Sequence, residues 1–175
     1  LKAAVLCCAT NDVRDYLKGV CISGQSIVST DGRIMFKYDL DGINEQQYII
    51  HNEYLKTLFK NLDKKATTVD FIKLDDGYYF ISGNYKQFVA LIDAKYPDVS
   101  RTIAMVERAI LGSEGIKQIR LNHEYLLLVN KITKALKINK CDYPIFDFST
   151  STGTLIISYE SCNAKMYLMP ARTAY

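Results

Sequence analysis

One tripeptide written twice limits this chain more than any other feature. Glu53-Tyr54-Leu55 returns as Glu124-Tyr125-Leu126, an offset of 71 residues. Each copy opens a stripe of helical period: Leu55, Leu58, Phe59 and Leu62 in the first, Tyr125, Leu128, Val129, Ile132 and Leu136 in the second. Asn52 and Asn122 stand before the two stripes and are predicted N-caps, because an Asn side-chain oxygen accepts from orphan backbone amides. Behind each helix the period drops to two. Strands are predicted at 68–74, 78–82 and 87–92 after the first, with Asp75-Asp76-Gly77 as a turn, and at 145–148, 154–159 and 165–169 after the second. A short apolar strand precedes each helix, Tyr48-Ile49-Ile50 in one copy and Ile119-Arg120-Leu121 in the other.

The first segment reads as a third copy with its start trimmed. Leu1, Ala4, Val5 and Cys8 make a helical stripe, and strands are predicted at 19–23, 25–29 and 33–40, reversing at Gly24. One helix on a few strands cannot bury both faces of its sheet, so such units must pack side by side. The expected class is α+β: repeated units of a helix on antiparallel strands, forming a curved wall with basic helices on its inner surface. Between the second and third units, residues 103–117 carry Ala104, Val106, Ala109 and Ile110 and read as a short helix or a spacer.

Composition narrows the function. Hydrophobic residues at 49% and charged residues at 23% are ordinary for a globular chain of 175 residues. No apolar run approaches the roughly 18 residues that cross a bilayer, and Leu1 to Cys8 lacks the basic leader and cleavage site of a signal peptide. The first residue is not Met, which leaves room for residues before Leu1. Cysteines at 7, 8, 21, 141 and 162 are odd in number, form no Cys-x-x-Cys pair and lie far in sequence from His51 and His123. That argues against zinc and against a disulfide framework, and for small buried thiols in a reducing cytoplasm. No dinucleotide fingerprint, phosphate-binding loop or nucleophile elbow occurs. Turn contexts account for Asp75-Asp76 and for Asp12 with Asp15. Neither an enzyme, nor a cofactor, nor a metal is expected.

Net charge is only +3, but it is clustered: Lys56, Lys60, Lys64 and Lys65 in one segment, Lys131, Lys134, Lys137 and Lys140 in another. Such clusters describe a phosphate-tracking face and a solvated helix face equally well.

Several segments also resemble a known family. Asn11-Asp12-Val13-Arg14-Asp15-Tyr16-Leu17-Lys18-Gly19-Val20, Ser29-Thr30-Asp31-Gly32-Arg33, Lys95-Tyr96-Pro97-Asp98 with Arg101, and the tail Tyr167-Leu168-Met169-Pro170-Ala171-Arg172 resemble, in that order, the bacterial DNA sliding clamp. That protein is the beta subunit of the replicative polymerase. Residues 1–102 resemble its two-unit middle domain, 103–117 a linker or short helix, and 118–175 the last unit of its final domain. The resemblance implies a DNA-clamp-like fold and a reduced clamp of the kind a phage or mobile element encodes.

It also implies two surfaces. The first is a helix-lined face that tracks duplex DNA without reading sequence, with Lys56, Lys60, Lys131 and Lys134 as its candidates. The second is a groove for short motifs of the DNA polymerase and other replication proteins. Its matching positions are Leu17, Thr30, Gly32, Met35, Pro97, Arg101, Asn122, Tyr125, Met169, Pro170 and Arg172. Leu17, Met35, Pro97 and Met169 would floor it, and Asn122 and Arg172 would bond peptide carbonyls. Arg33 stands where the family commonly has His, Thr102 replaces an aliphatic residue and Ala171 replaces Met. Thr173-Ala174-Tyr175 extends past the usual end, where it would cover or prolong the groove. The function implied is a replication accessory and processivity factor, a homo-oligomer if it closes a ring. The alternative is a monomeric clamp mimic that competes for clamp-binding peptides without encircling DNA.

Overall fold

Alternation from Gly19 onward suits a pleated backbone, whose successive side chains point to opposite faces. In the computed structural model that stretch forms β1 (Gly19–Ser23), β2 (Ser26–Thr30) and β3 (Ile34–Asp39), an antiparallel meander. The structure describes residues 1–24, 26–40, 46–63, 65–66, 68–111, 119–139, 142–148 and 153–171. Next, β4 (Gln47–His51) folds back onto the far edge of β1, with Val20 opposite Ile50. Only glycine suits position 19 in this pairing. A Cβ there would lie 2.6 Å from Ile49 Cγ2 and 3.2 Å from the Ile50 carbonyl oxygen.

The chain enters α2 (Asn52–Asn61) directly from β4. Because the strand runs straight into the helix, the extended capping residue is His51, whose Nδ1 accepts the Glu53 amide at 3.3 Å. Asn52, predicted as the cap, is instead buried and donates its side-chain amide to the Ala9 carbonyl at 3.4 Å. Then β5 (Asp70–Leu74), β6 (Gly77–Ser82) and β7 (Tyr85–Val89) make a separate three-stranded sheet. Aromatic packing ties it to β4: Phe71 stacks on Tyr78 at 5.4 Å, and Tyr48 meets both rings edge-on.

The third unit comprises α4 (His123–Leu136), β8 (Ile145–Phe148), β9 (Leu155–Tyr159) and β10 (Cys162–Leu168). Its strands do not stand alone. β10 pairs with β3, placing Met166 opposite Phe36, so one seven-stranded sheet runs β4-β1-β2-β3-β10-β9-β8.

Two cores flank that sheet, separated by the period-two alternation. Val20, Phe36, Ile50, Ile157 and Met166 point to one face, where α1 (Lys2–Val5), α2 and α4 bury Ala3, Ala4, Leu55, Leu58, Val129 and Ile132 against them. Their neighbours Cys21, Met35, Ile49, Ile156 and Tyr167 point to the other face, beneath Tyr96 and the helix α3 (Ser100–Leu111). Burying one such aliphatic side chain is worth about 1.5–3 kcal/mol.

Two further expectations are corrected, and in a third the helix starts earlier than the stretch predicted for it. The first helix is a single turn burying Ala3, Ala4, Cys7 and Cys8, while Leu1 is exposed. Its inward face is set by Ser29, which donates to the Ala4 carbonyl at 2.6 Å beneath it. Residues 119–121 are not a strand: among the described residues their one backbone partner is Ala171, which donates to the Arg120 carbonyl at 2.8 Å. The 103–117 stretch belongs in part to α3, which begins earlier, where Asp98 accepts the Ser100 amide at 3.0 Å. Its inward stripe is Val99, Ile103 and Val106, and Ala104 is exposed. This helix covers the sheet face opposite the other helices.

Candidate functional site

The β2–β3 hairpin tip is held by short side chains. Thr30 Oγ1 accepts the Gly32 amide (2.9 Å) and donates to the Ile34 carbonyl (2.7 Å), while Asp31 Oδ1 accepts the amides of Arg33 (2.8 Å) and Ile34 (2.9 Å). Gly32 sits at φ +91°, left-handed backbone that side chains disfavour. The second Asp31 oxygen accepts the Tyr125 hydroxyl at 2.9 Å, fastening the tip to α4 across 94 residues of sequence. Burial, and then the hydrogen bond to Asp31 and its charge, push the Tyr125 hydroxyl above its ordinary pKa, so it stays a donor.

The chain leaving β10 passes beside this tip. Met169 donates its amide to the Arg33 carbonyl at 2.9 Å, and Ala171 reaches Arg120 as described. Two adjoining recesses result. The smaller, about 150 Å³, is walled by Thr30, Met35, Val99, Ile103, Val106, Tyr167 and Met169. The larger, about 720 Å³, is walled by Gly32, Arg33, Asn122, Tyr125, Met169, Pro170 and Ala171. Gly32, Arg33 and Met169 belong to both. One recess is mainly apolar, and the other presents a guanidinium, a phenol and an amide.

α3 is fixed over the smaller recess by Glu107, whose Oε1 accepts from Lys165 Nζ (2.7 Å) and from the Tyr167 hydroxyl (3.0 Å). Burial pushes the Glu107 carboxyl up, but donation from Lys165 and Tyr167 outweighs it and holds the group below its ordinary range. The Tyr167 hydroxyl is raised strongly by burial and by the Glu107 charge.

Seven of the eleven groove positions therefore meet at one place: Thr30, Gly32, Met35, Asn122, Tyr125, Met169 and Pro170. Three described ones do not. Leu17 is buried and lines neither recess, Pro97 lines a separate recess beside Lys95 and Tyr96, and Arg101 is exposed on α3. Arg172 lies outside the described residues. Val99, Ile103, Val106 and Tyr167 were not anticipated; the i, i+4, i+7 spacing of the first three was the available signal. Lys56, Lys60, Lys131 and Lys134 are exposed on α2 and α4, on the sheet face away from the smaller recess. Lys56 is paired with Glu53 at 2.7 Å. Among the described residues no three His, Cys, Asp or Glu side chains are placed to hold a metal, and no helix is long and apolar enough to cross a membrane.

No protein-family model matches this sequence, and neither does any curated protein sequence. Solved structures match well. The DNA polymerase III beta subunit of Pseudomonas aeruginosa superposes with a TM-score of 0.73 at 17% identity, over 98% of this chain and 63% of that one. The sliding clamp of Bacillus subtilis gives 0.71 at 17% identity, over 99% and 61%. The fold is that of a DNA sliding clamp. A Pseudomonas aeruginosa clamp bound to griselimycin gives 0.69 at 16% identity, over 99% and 64%. The chain thus spans 61–64% of the length of these clamps.

Proposed function

We propose that this chain is a non-catalytic replication accessory that takes a short extended segment of a polymerase or another clamp-binding protein into its joined recesses. One observation supports the reading above the others. Seven residues from three separated sequence segments converge where β3 meets β10, in a sliding-clamp fold. The larger recess falls within the roughly 300–1,000 Å³ typical of ligand sites. Met35 and Met169 suit varied apolar side chains, because a thioether is flexible and polarisable. Arg33 and Asn122 offer donors for peptide carbonyls.

The test is fluorescence anisotropy with a labelled peptide carrying a clamp-binding motif, and griselimycin as a second probe. Saturable binding is expected, weakened about tenfold or more by Met169→Ala. Absence of saturation with either probe, or wild-type affinity in both Met169→Ala and Met35→Ala, would sink the reading.

The same proposal has two forms. As a processivity factor, the chain would use Lys56, Lys60, Lys131 and Lys134 to track duplex DNA, and affinity would fall steeply with salt. As a competitor for clamp-binding peptides, it would bind peptide and leave DNA alone. Retention of circular DNA at low salt, lost in Lys131→Glu with Lys134→Glu, would select the first.

A further inference from the structure

The second unit shows how a leading strand is used in this fold, and the third unit leaves half of that use empty. In the second unit β4 has two occupied edges. On one lies β1 of the neighbouring unit, and on the other the Ile92 amide donates to the Ile49 carbonyl at 2.9 Å. Adding the 71-residue offset to Ile49 gives Arg120, and there the Ala171 amide donates to the Arg120 carbonyl at 2.8 Å. Residues 119–121 therefore stand where β4 stands, with the exit-chain edge occupied in the same way. Among the described residues, no strand pairs with their other edge.

The piece that would fill it is also exposed. In the first unit, the strand that receives β4 is β1, the first of the meander; its counterpart in the third unit is β8. Among the described residues β8 pairs with β9 alone and forms one edge of the large sheet. The opposite edge, β4, is covered by the bridge from Ile50 to Leu91.

The side chains agree. Leu55 is fully buried, yet its counterpart Leu126 is 42% exposed. Phe146 and Phe148, 44% and 38% exposed, pair with Ile157 and Leu155 and so project to the helix-covered face beside α4. Pro144 stands just before β8, and within Ile145-Phe146-Asp147-Phe148 the one charged residue, Asp147, lies on the face opposite Phe146 and Phe148.

We infer that two copies of this chain join through their third units about a two-fold axis, each lending residues 119–121 to the β8 edge of the other. Each third unit holds both halves of the contact, a strand to donate and an edge to receive one, so the surface is self-complementary, as a two-fold interface requires. The union rebuilds between chains the two-unit arrangement that the first two units make within one. It buries Leu126, Phe146 and Phe148 of both copies and produces a six-unit arc.

Sedimentation equilibrium of the full chain tests this, together with hydrogen exchange read at 119–121 and 145–148. A particle of twice 19.9 kDa is expected, with both segments protected and both deprotected on dilution. Phe146→Lys should weaken the dimer about tenfold or more while Phe88→Lys, on the other sheet, leaves it intact. Circular dichroism checks that the variants fold, and the wild-type exchange pattern decides the matter should Phe146→Lys not fold. A monomer at every concentration, or a dimer weakened only by Phe88→Lys, would overturn the inference. So would a dimer with 119–121 unprotected.

Discussion

The second and third units share a plan, yet they bury it differently. Each runs from a leading segment through a capped helix to three antiparallel strands. In the second unit, Leu55 and Leu58 are sealed, and the strands form their own small sheet, joined to β4 by aromatic rings. In the third unit, Leu126 is exposed, and the strands extend the sheet of the first unit instead. The β3–β10 seam made by this second arrangement is where the two joined recesses lie. A local pattern thus specifies a helix and its strands, while the neighbour decides which faces are core and which are free to bind.

The sharpest way to break the comparison is truncation at the matched leucines. Leu55→Ala should cost about 3–4 kcal/mol in urea unfolding, because a cavity adds to the lost transfer energy. Leu126→Ala, measured at concentrations too low for association, should cost less than about 1 kcal/mol. Equal losses would mean that the two helices are buried alike. Gly19→Ala probes how the leading strand β4 packs, and should destabilise by about 1–3 kcal/mol, since a Cβ would overlap Ile49 and crowd the Ile50 carbonyl.

The caps offer a finer contrast. Asn122 Oδ1 accepts the Glu124 amide at 3.0 Å, shorter than the 3.3 Å contact of His51. Asn122→Ala should therefore lower the thermal midpoint by the equivalent of about 1 kcal/mol, and His51→Ala by less. The smallest effect concerns α3. Glu107 is depressed in the folded state, so its contribution is complete above the ordinary Glu value near 4.5 and fades as pH falls through the lower folded value. Glu107→Gln should abolish that acid-side loss, worth about 0.5 kcal/mol at this half-exposed pair. Stability curves of both proteins from pH 3 to 7 would show whether they converge at the acid end.

Much of this is legible in the sequence. The stripe of α4, its Asn122 cap and the bounds of β1 and β8 follow from period and end chemistry, which depend on residues a few positions apart. Leu17, Pro97 and Arg101 were placed in the groove by resemblance, and the chain carries them elsewhere. The 103–117 stretch reads as a short helix or a spacer, and its inward face stays open because Val99, just before the stretch, supplies the first inward turn. Nothing in Asn52 distinguishes a cap from a buried amide. The difference lies in the Ala9 carbonyl, 43 residues away.

Three helix-and-meander units, the offset of 71 residues and the alternation that separates two sheet faces follow from residue order alone, because periodicity is a property of the local chain. Packing between distant segments settles that β10 joins β3, that α3 crosses to the opposite face and that Tyr125 reaches Asp31. Those choices rest on contacts between segments many tens of residues apart. Their energies come from burial and from hydrogen bonds that no local pattern records.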